Sequence, residues 1–86
     1  MKKSLLAALL LLSMLSGAVV AMDPVNVNTA TAMELTKLVN IGPAKAEAIV
    51  AYREAHGPFR SLQELTRVTG VGERTVEINL ERIILD

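Results

Sequence analysis

The feature that most constrains this chain is an internal repeat with a spacing of 30 residues. Thr31-Ala32-Met33-Glu34 and Ser61-Leu62-Gln63-Glu64 carry one signature, a hydroxyl residue followed three positions later by glutamate. That pattern is a capping box, in which the hydroxyl accepts from the third helical amide and the glutamate reaches back to the cap amide. Glu34, Leu35, Thr36, Gly42 and Glu47 then recur as Glu64, Leu65, Thr66, Gly72 and Glu77, and Lys37/Arg67, Leu38/Val68 and Ile41/Val71 are conservative partners. One supersecondary unit is therefore present twice. Neither copy is long enough to bury its own apolar face, so the two must pack on each other about a pseudo-twofold axis.

Each unit reads as helix, tight loop, helix. In the first, a helix over about Ala32 to Leu38 turns through Val39–Gly42 and a second helix runs from Pro43 to about Ala55. Proline suits the first helical position, where its missing amide would lack a helical partner anyway. Gly57 and Pro58 end that helix. In the second, a helix over about Leu62 to Arg67 turns through Thr69–Gly72 and a further helix runs from Glu73 towards Ile84. Leu35, Leu38, Ile41, Ala46, Ile49 and Val50 make one apolar face, and Leu62, Leu65, Val68, Val71, Val76, Leu80 and Ile83 the other. Residues 22–30, with the alternating Val25-Asn26-Val27-Asn28, read as an extended lead-in to a folded unit over 31–86. The expected class is all-α, with about five short helices and no strand.

The chemistry is expected in the loops Asn40-Ile41-Gly42 and Gly70-Val71-Gly72. Each begins with a residue tolerant of positive φ, continues with an aliphatic plug, and ends on a glycine that opens the next helix. The first turn of that helix offers free amides and the positive end of the helix dipole, which together suit an anion. Lys45 and Arg74 fall within those turns. A hairpin often closes on glycine because its turn needs one, so one such loop says little. Two at repeat spacing, each followed by a cation, suggest two phosphate sites able to flank a groove of a duplex.

Charge bounds what that site can be. The chain has nine basic and nine acidic residues, but the two lysines at positions 2 and 3 belong to a segment without acids, leaving residues 22–86 with seven basic and nine acidic residues. A module that binds nucleic acid by bulk positive charge is excluded. The first segment has a positive start, a leucine-rich centre from Leu5 to Leu15, and small residues permitting cleavage after Ala18 or Ala21. Residues 1–21 therefore read as a secretory signal peptide, with an uncleaved anchor as the alternative. The chain lacks cysteine, which excludes disulfides, thiolate chemistry and a Cys-based zinc site.

Several segments together resemble the helix-hairpin-helix DNA-binding proteins, and among them the small exported ComEA-type competence proteins. They are Val25-Asn26-Val27-Asn28-Thr29-Ala30, Ile41-Gly42-Pro43-Ala44-Lys45-Ala46, Ala48-Ile49-Val50-Ala51-Tyr52-Arg53, Gly57-Pro58-Phe59-Arg60-Ser61 and Gly70-Val71-Gly72-Glu73-Arg74-Thr75. The resemblance spans about residues 25–86. It implies a tandem helix-hairpin-helix domain that binds double-stranded DNA without sequence preference, and a role in uptake that passes DNA to an inner-membrane channel. The implied contacts are Gly42 and Lys45 in the first hairpin, with Asn40 where the family usually has glycine. In the second they are Gly70, Gly72, Arg74 and Thr75. With Lys45 and Arg74 helped by Arg60 and Lys37, roughly two to four phosphates would be neutralised, for micromolar or weaker, salt-sensitive binding.

No catalytic site, cofactor or metal is expected. His56, the one histidine, sits at a helix end, and Glu34, Glu47, Glu64 and Glu77 read as caps and solvated faces. Tyr52 reads as a cap on the core and Phe59 as a plug between the hairpins. Two aromatics cannot form the stacking track of a single-strand binder. The competing reading is a protein-interaction module of an envelope secretion or uptake complex, favoured by the net acidity of residues 22–86. In either case the protein is expected to be exported, to the periplasm in a two-membrane bacterium.

Overall fold

The computed structural model describes residues 23–86, so residues 1–21, expected to be a signal peptide, lie outside the described residues. Two strands, three α-helices and one 3-10 helix follow in the order β1 (Val25–Asn26), α1 (Ala32–Leu35), α2 (Pro43–His56), the 3-10 helix (Leu62–Arg67), α3 (Glu73–Ile78) and β2 (Ile83–Ile84).

The first expected capping box forms in full and the second only by its hydroxyl half, since Glu64 does not return to the Ser61 amide. Thr31 Oγ1 accepts from Glu34 N at 3.2 Å while Glu34 Oε1 accepts from Thr31 N at 3.2 Å, a complete capping box. In the second unit Ser61 Oγ accepts from Glu64 N at 3.3 Å. The hydrogen bonds from the Thr31 amide and then from its hydroxyl hold the Glu34 carboxyl below its ordinary value, with the charge of Lys37 adding to the effect.

The first helix of each unit is shorter or tighter than expected, for a cause the two share. Thr36 Oγ1 donates to Met33 O and Thr66 Oγ1 to Gln63 O, at equivalent positions of the repeat. A hydroxyl bonding back along the chain competes with the helical ladder. Lys37 N and Leu38 N accordingly donate three residues back, to Glu34 O and Leu35 O. The second copy is a 3-10 helix throughout. Helix α2 runs its expected length, with Pro43 at the start and Gly57 at the C-cap with φ 87°.

Two expectations need correction. Helix α3 stops at Ile78 instead of continuing towards Ile84. Asn79 ends it: Arg82 N and Ile83 N both donate to Asn79 O, folding the chain back, and Leu80 is left 48% exposed instead of joining the core. The fold is also not purely all-α. After that turn β2 pairs in parallel with β1, Val25 opposite Ile83 and Asn26 opposite Ile84. Val25 N donates to Arg82 O at 2.6 Å and Val27 N to Ile84 O at 3.2 Å. The lead-in is thereby part of the fold, and its valines are buried.

One core joins all parts. Leu35, Leu38, Ile41, Ala46 and Ile49 from the first hairpin meet Leu65, Val68, Val71 and Val76 from the second, with Val25, Val27, Ala30 and Phe59 filling between. Burying Phe59 contributes on the order of 2 kcal/mol. Asn28 holds it in place, accepting from Phe59 N at 2.7 Å and donating to Phe59 O at 3.0 Å. Tyr52 stacks between Phe59 and His56, with ring centroids 5.3 Å and 4.1 Å away.

Candidate nucleic-acid interface

The two loops have the same backbone design. Asn40 has φ 67° and Gly70, its counterpart, φ 90°; among the described residues Asn40 is the one non-glycine residue with positive φ. Asparagine tolerates this left-handed conformation better than other side chains. Ile41 and Val71 then turn inward and are buried. Their amides donate to Leu38 O at 3.3 Å and Val68 O at 3.0 Å, and the next helices begin with Ala46 N on Gly42 O at 2.9 Å and Val76 N on Gly72 O at 3.2 Å.

Gly42 and Gly72 differ from Gly70 in a telling way. Their φ angles are −86° and −97°, which any residue adopts. A Cβ built on either would meet nothing within 4 Å. Neither backbone conformation nor internal packing therefore calls for glycine at these two positions. What glycine provides is open backbone at the head of each helix.

That backbone has donors to offer. Neither α2 nor α3 has a side-chain cap at its N-terminus. The amides of Ala44 and Lys45 in α2, and of Glu73, Arg74 and Thr75 in α3, precede the first intrahelical bond. They lie at the positive ends of the helix dipoles, an arrangement suited to anions. The hairpins are not equal: Pro43 removes one donor from the first, and Glu73 puts a carboxylate into the second.

The expected site residues separate into three groups. Asn40, Gly42, Gly70 and Gly72 form the two loops. Arg74 is exposed at the head of α3. Lys45 does more than flank its own loop: Nζ donates to Asn40 O at 3.3 Å, and its stem lies over the other hairpin, with Cγ 3.4 Å and Cε 3.6 Å from the Cβ position of Gly70. Thr75, the repeat counterpart of Lys45, is only 8% exposed and lines the interior with Ile49, Leu65 and Val76. Its backbone amide is what it can present.

Of the two auxiliary cations, Arg60 sits away from the loops. It shares a surface groove with Tyr52, His56, Glu64 and Arg67 beyond the C-terminus of α2. The 14 residues of α2 span about 20 Å, so Arg60 and Gly42 are near opposite ends of that helix. Lys37 lies beside Glu34 and Asp23 in another groove, and its carbonyl accepts from Arg82 Nη1 at 2.8 Å.

Asn79, which sequence reasoning did not single out, supports the first loop from the second hairpin. Its side chain accepts from Val39 N at 2.9 Å, donates to Val39 O at 2.9 Å, and also donates to Thr75 O at 2.8 Å. The available signal was a polar residue at the repeat position where the first unit has Ile49. Among the described residues no group of acidic or histidine side chains is placed to hold a metal ion, and no helix is long and apolar enough to cross a membrane.

Two helical hairpins with matched loops and open helix heads define a tandem hairpin domain. Residues 20–83 match the family model described as a helix-hairpin-helix motif, and the chain belongs to that family. It is 53% identical over 66 residues to an uncharacterized protein of Haemophilus influenzae, covering 76% of this chain and 59% of that one. It is 51% identical over 53 residues to ComE operon protein 1 of Bacillus subtilis, covering 62% of this chain and 26% of that one. A third similarity, 41% over 58 residues, is to the kinesin-like protein KIF22 of Mus musculus and covers 67% of this chain and 9% of that one. The chain thus spans less than two thirds of these relatives.

Proposed function

We propose that this protein is an exported, non-enzymatic, sequence-independent binder of double-stranded DNA that acts in DNA uptake during natural transformation. The observation that carries the reading is the matched pair of glycine-opened, uncapped helix heads, at Gly42 and Gly72, each with a cation in its first turn. Backbone amides contact phosphate without reading sequence. Similarity to ComE operon protein 1 supports the uptake role. The leader pattern of residues 1–21 supports export, and handing DNA to an inner-membrane channel follows from that setting.

Net acidity does not oppose this reading, because amides and helix dipoles contribute local positive potential that formal charge omits. It does limit affinity. With few phosphates neutralised, binding is micromolar or weaker at physiological salt, with a slope of log K against log salt between about −2 and −4. Titrating labelled duplex at two salt concentrations, with wild type and a Lys45→Glu/Arg74→Glu variant, tests it. Salt-dependent binding that the variant abolishes is the expected result. Unchanged affinity in the variant, or no binding by wild type at low salt, overturns it; in the second case a protein-docking role takes its place.

A further inference from the structure

We infer that Lys45 makes this interface selective for duplex over single-stranded DNA, because the fold holds its ammonium between the two hairpin loops. This rests on the DNA-binding reading above. Two contacts fix the side chain. The stem crosses from α2 onto Gly70 of the other hairpin, and the ammonium returns to the carbonyl of Asn40. Asn40 and Gly70 are the paired left-handed residues of the two loops, so Lys45 bridges one point of the pseudo-twofold to its mate.

The second hairpin has no matching lysine. Its counterpart, Thr75, is buried among core side chains. The repeat therefore places one cation at this position and not two, which would repel each other. One of the three N–H donors of Lys45 is used on Asn40 O, which leaves two for acceptors outside the protein.

Phosphates seated at the two helix heads belong to opposite strands of a duplex, and an ammonium between the loops feels both rows at once. A single strand offers one row. Arg74, at the head of one helix, faces a single phosphate row in both cases. Lys45 therefore contributes more on a duplex than on a single strand, whereas Arg74 contributes similarly to each.

The test compares affinities for a duplex and for one of its strands, in wild type, Lys45→Met, Arg74→Gln and Gly70→Asn. Lys45→Met keeps the stem and removes the charge. Gly70→Asn keeps the charge and a residue type that accepts positive φ, but puts a side chain where the stem lies; thermal melting confirms that each variant folds. The duplex-to-single-strand ratio is expected to fall roughly fivefold in Lys45→Met, the scale of one lost phosphate contact. It is expected to fall in Gly70→Asn as well, and to hold in Arg74→Gln. A ratio unchanged in Lys45→Met overturns the inference while leaving DNA binding intact. Failure of wild type to bind duplex overturns both.

Discussion

The side chain of Asn79 is hydrogen-bonded to both backbone groups of Val39, 40 residues earlier, at 2.9 Å each. The primary amide behaves there as a surrogate peptide and ties the loop of the first hairpin to the end of α3. Asn28 treats Phe59 in the same way. Two asparagine side chains thus supply pairing that the short secondary structure leaves out.

Replacing Asn79 with leucine keeps its branched outline, with bulkier methyl ends, and removes that pairing. It strands the Val39 amide and carbonyl along with an apolar side chain that cannot serve them, at a cost of about 2–4 kcal/mol. Urea unfolding measures the loss. Duplex affinity should fall in the same variant, because Val39 adjoins Asn40, even though Asn79 lies outside the proposed contact surface.

Gly42→Ala and Gly72→Ala separate binding from folding. The loss of glycine's unfolded-state freedom offsets the poorer N-cap, and the added methyl meets nothing in the protein. Stability should stay within about 1 kcal/mol of wild type. Duplex affinity should drop in both, as the methyl occupies the space a phosphate would need. Thermal melts alongside fluorescence anisotropy decide it, and unaltered binding would mean that glycine at these heads does not serve the approach of a phosphate.

Much of this interface was legible in the repeat. The left-handed residues at Asn40 and Gly70, the plugs at Ile41 and Val71 and the opening glycines all follow from local conformational preference, which the sequence carries directly. Contacts that cross between hairpins do not. The lay of Lys45 over Gly70, the burial of Thr75 and the grip of Asn79 on Val39 depend on how the two units dock, and a repeat reports equivalence, not docking. Duplication even misleads at one point, since Lys45 and Thr75 are counterparts with opposite surroundings. The strand pair was not legible because two residues on each side are too few to show a period. Ile83 and Ile84 also continue an apolar row that reads as helix.

Glu73→Gln should tighten duplex binding. The carboxylate stands in the first turn of α3, where a phosphate would be seated, and the corresponding residue of the first hairpin is uncharged Pro43. Removing a like charge there raises affinity by a few-fold at low salt, and the gain shrinks as salt screens it. Anisotropy titrations at two ionic strengths should show both effects. The helix itself loses a favourable dipole partner, so a slightly lower melting temperature should accompany the tighter binding.

Glu34 makes the acid limb of stability informative. Its folded value is lowered, by Thr31 first. The unfolded chain therefore binds the proton more readily. The stabilisation is complete above the ordinary carboxylate value of about 4.3 and disappears as pH falls through the lowered folded value. Melting temperatures of wild type and Glu34→Gln should be furthest apart near neutrality and converge below that window. A constant gap across the whole range would mean that the Glu34 charge has no part in the cap.

The pairing of Val25 with Ile83 fastens the beginning of this unit to its end. Polypeptide arriving and polypeptide leaving share one short seam, so tension applied through flanking chain is carried by that seam and bypasses the loops at Asn40 and Gly70. A unit closed in this way can be appended to larger machinery, or spliced into it, without disturbing those loops.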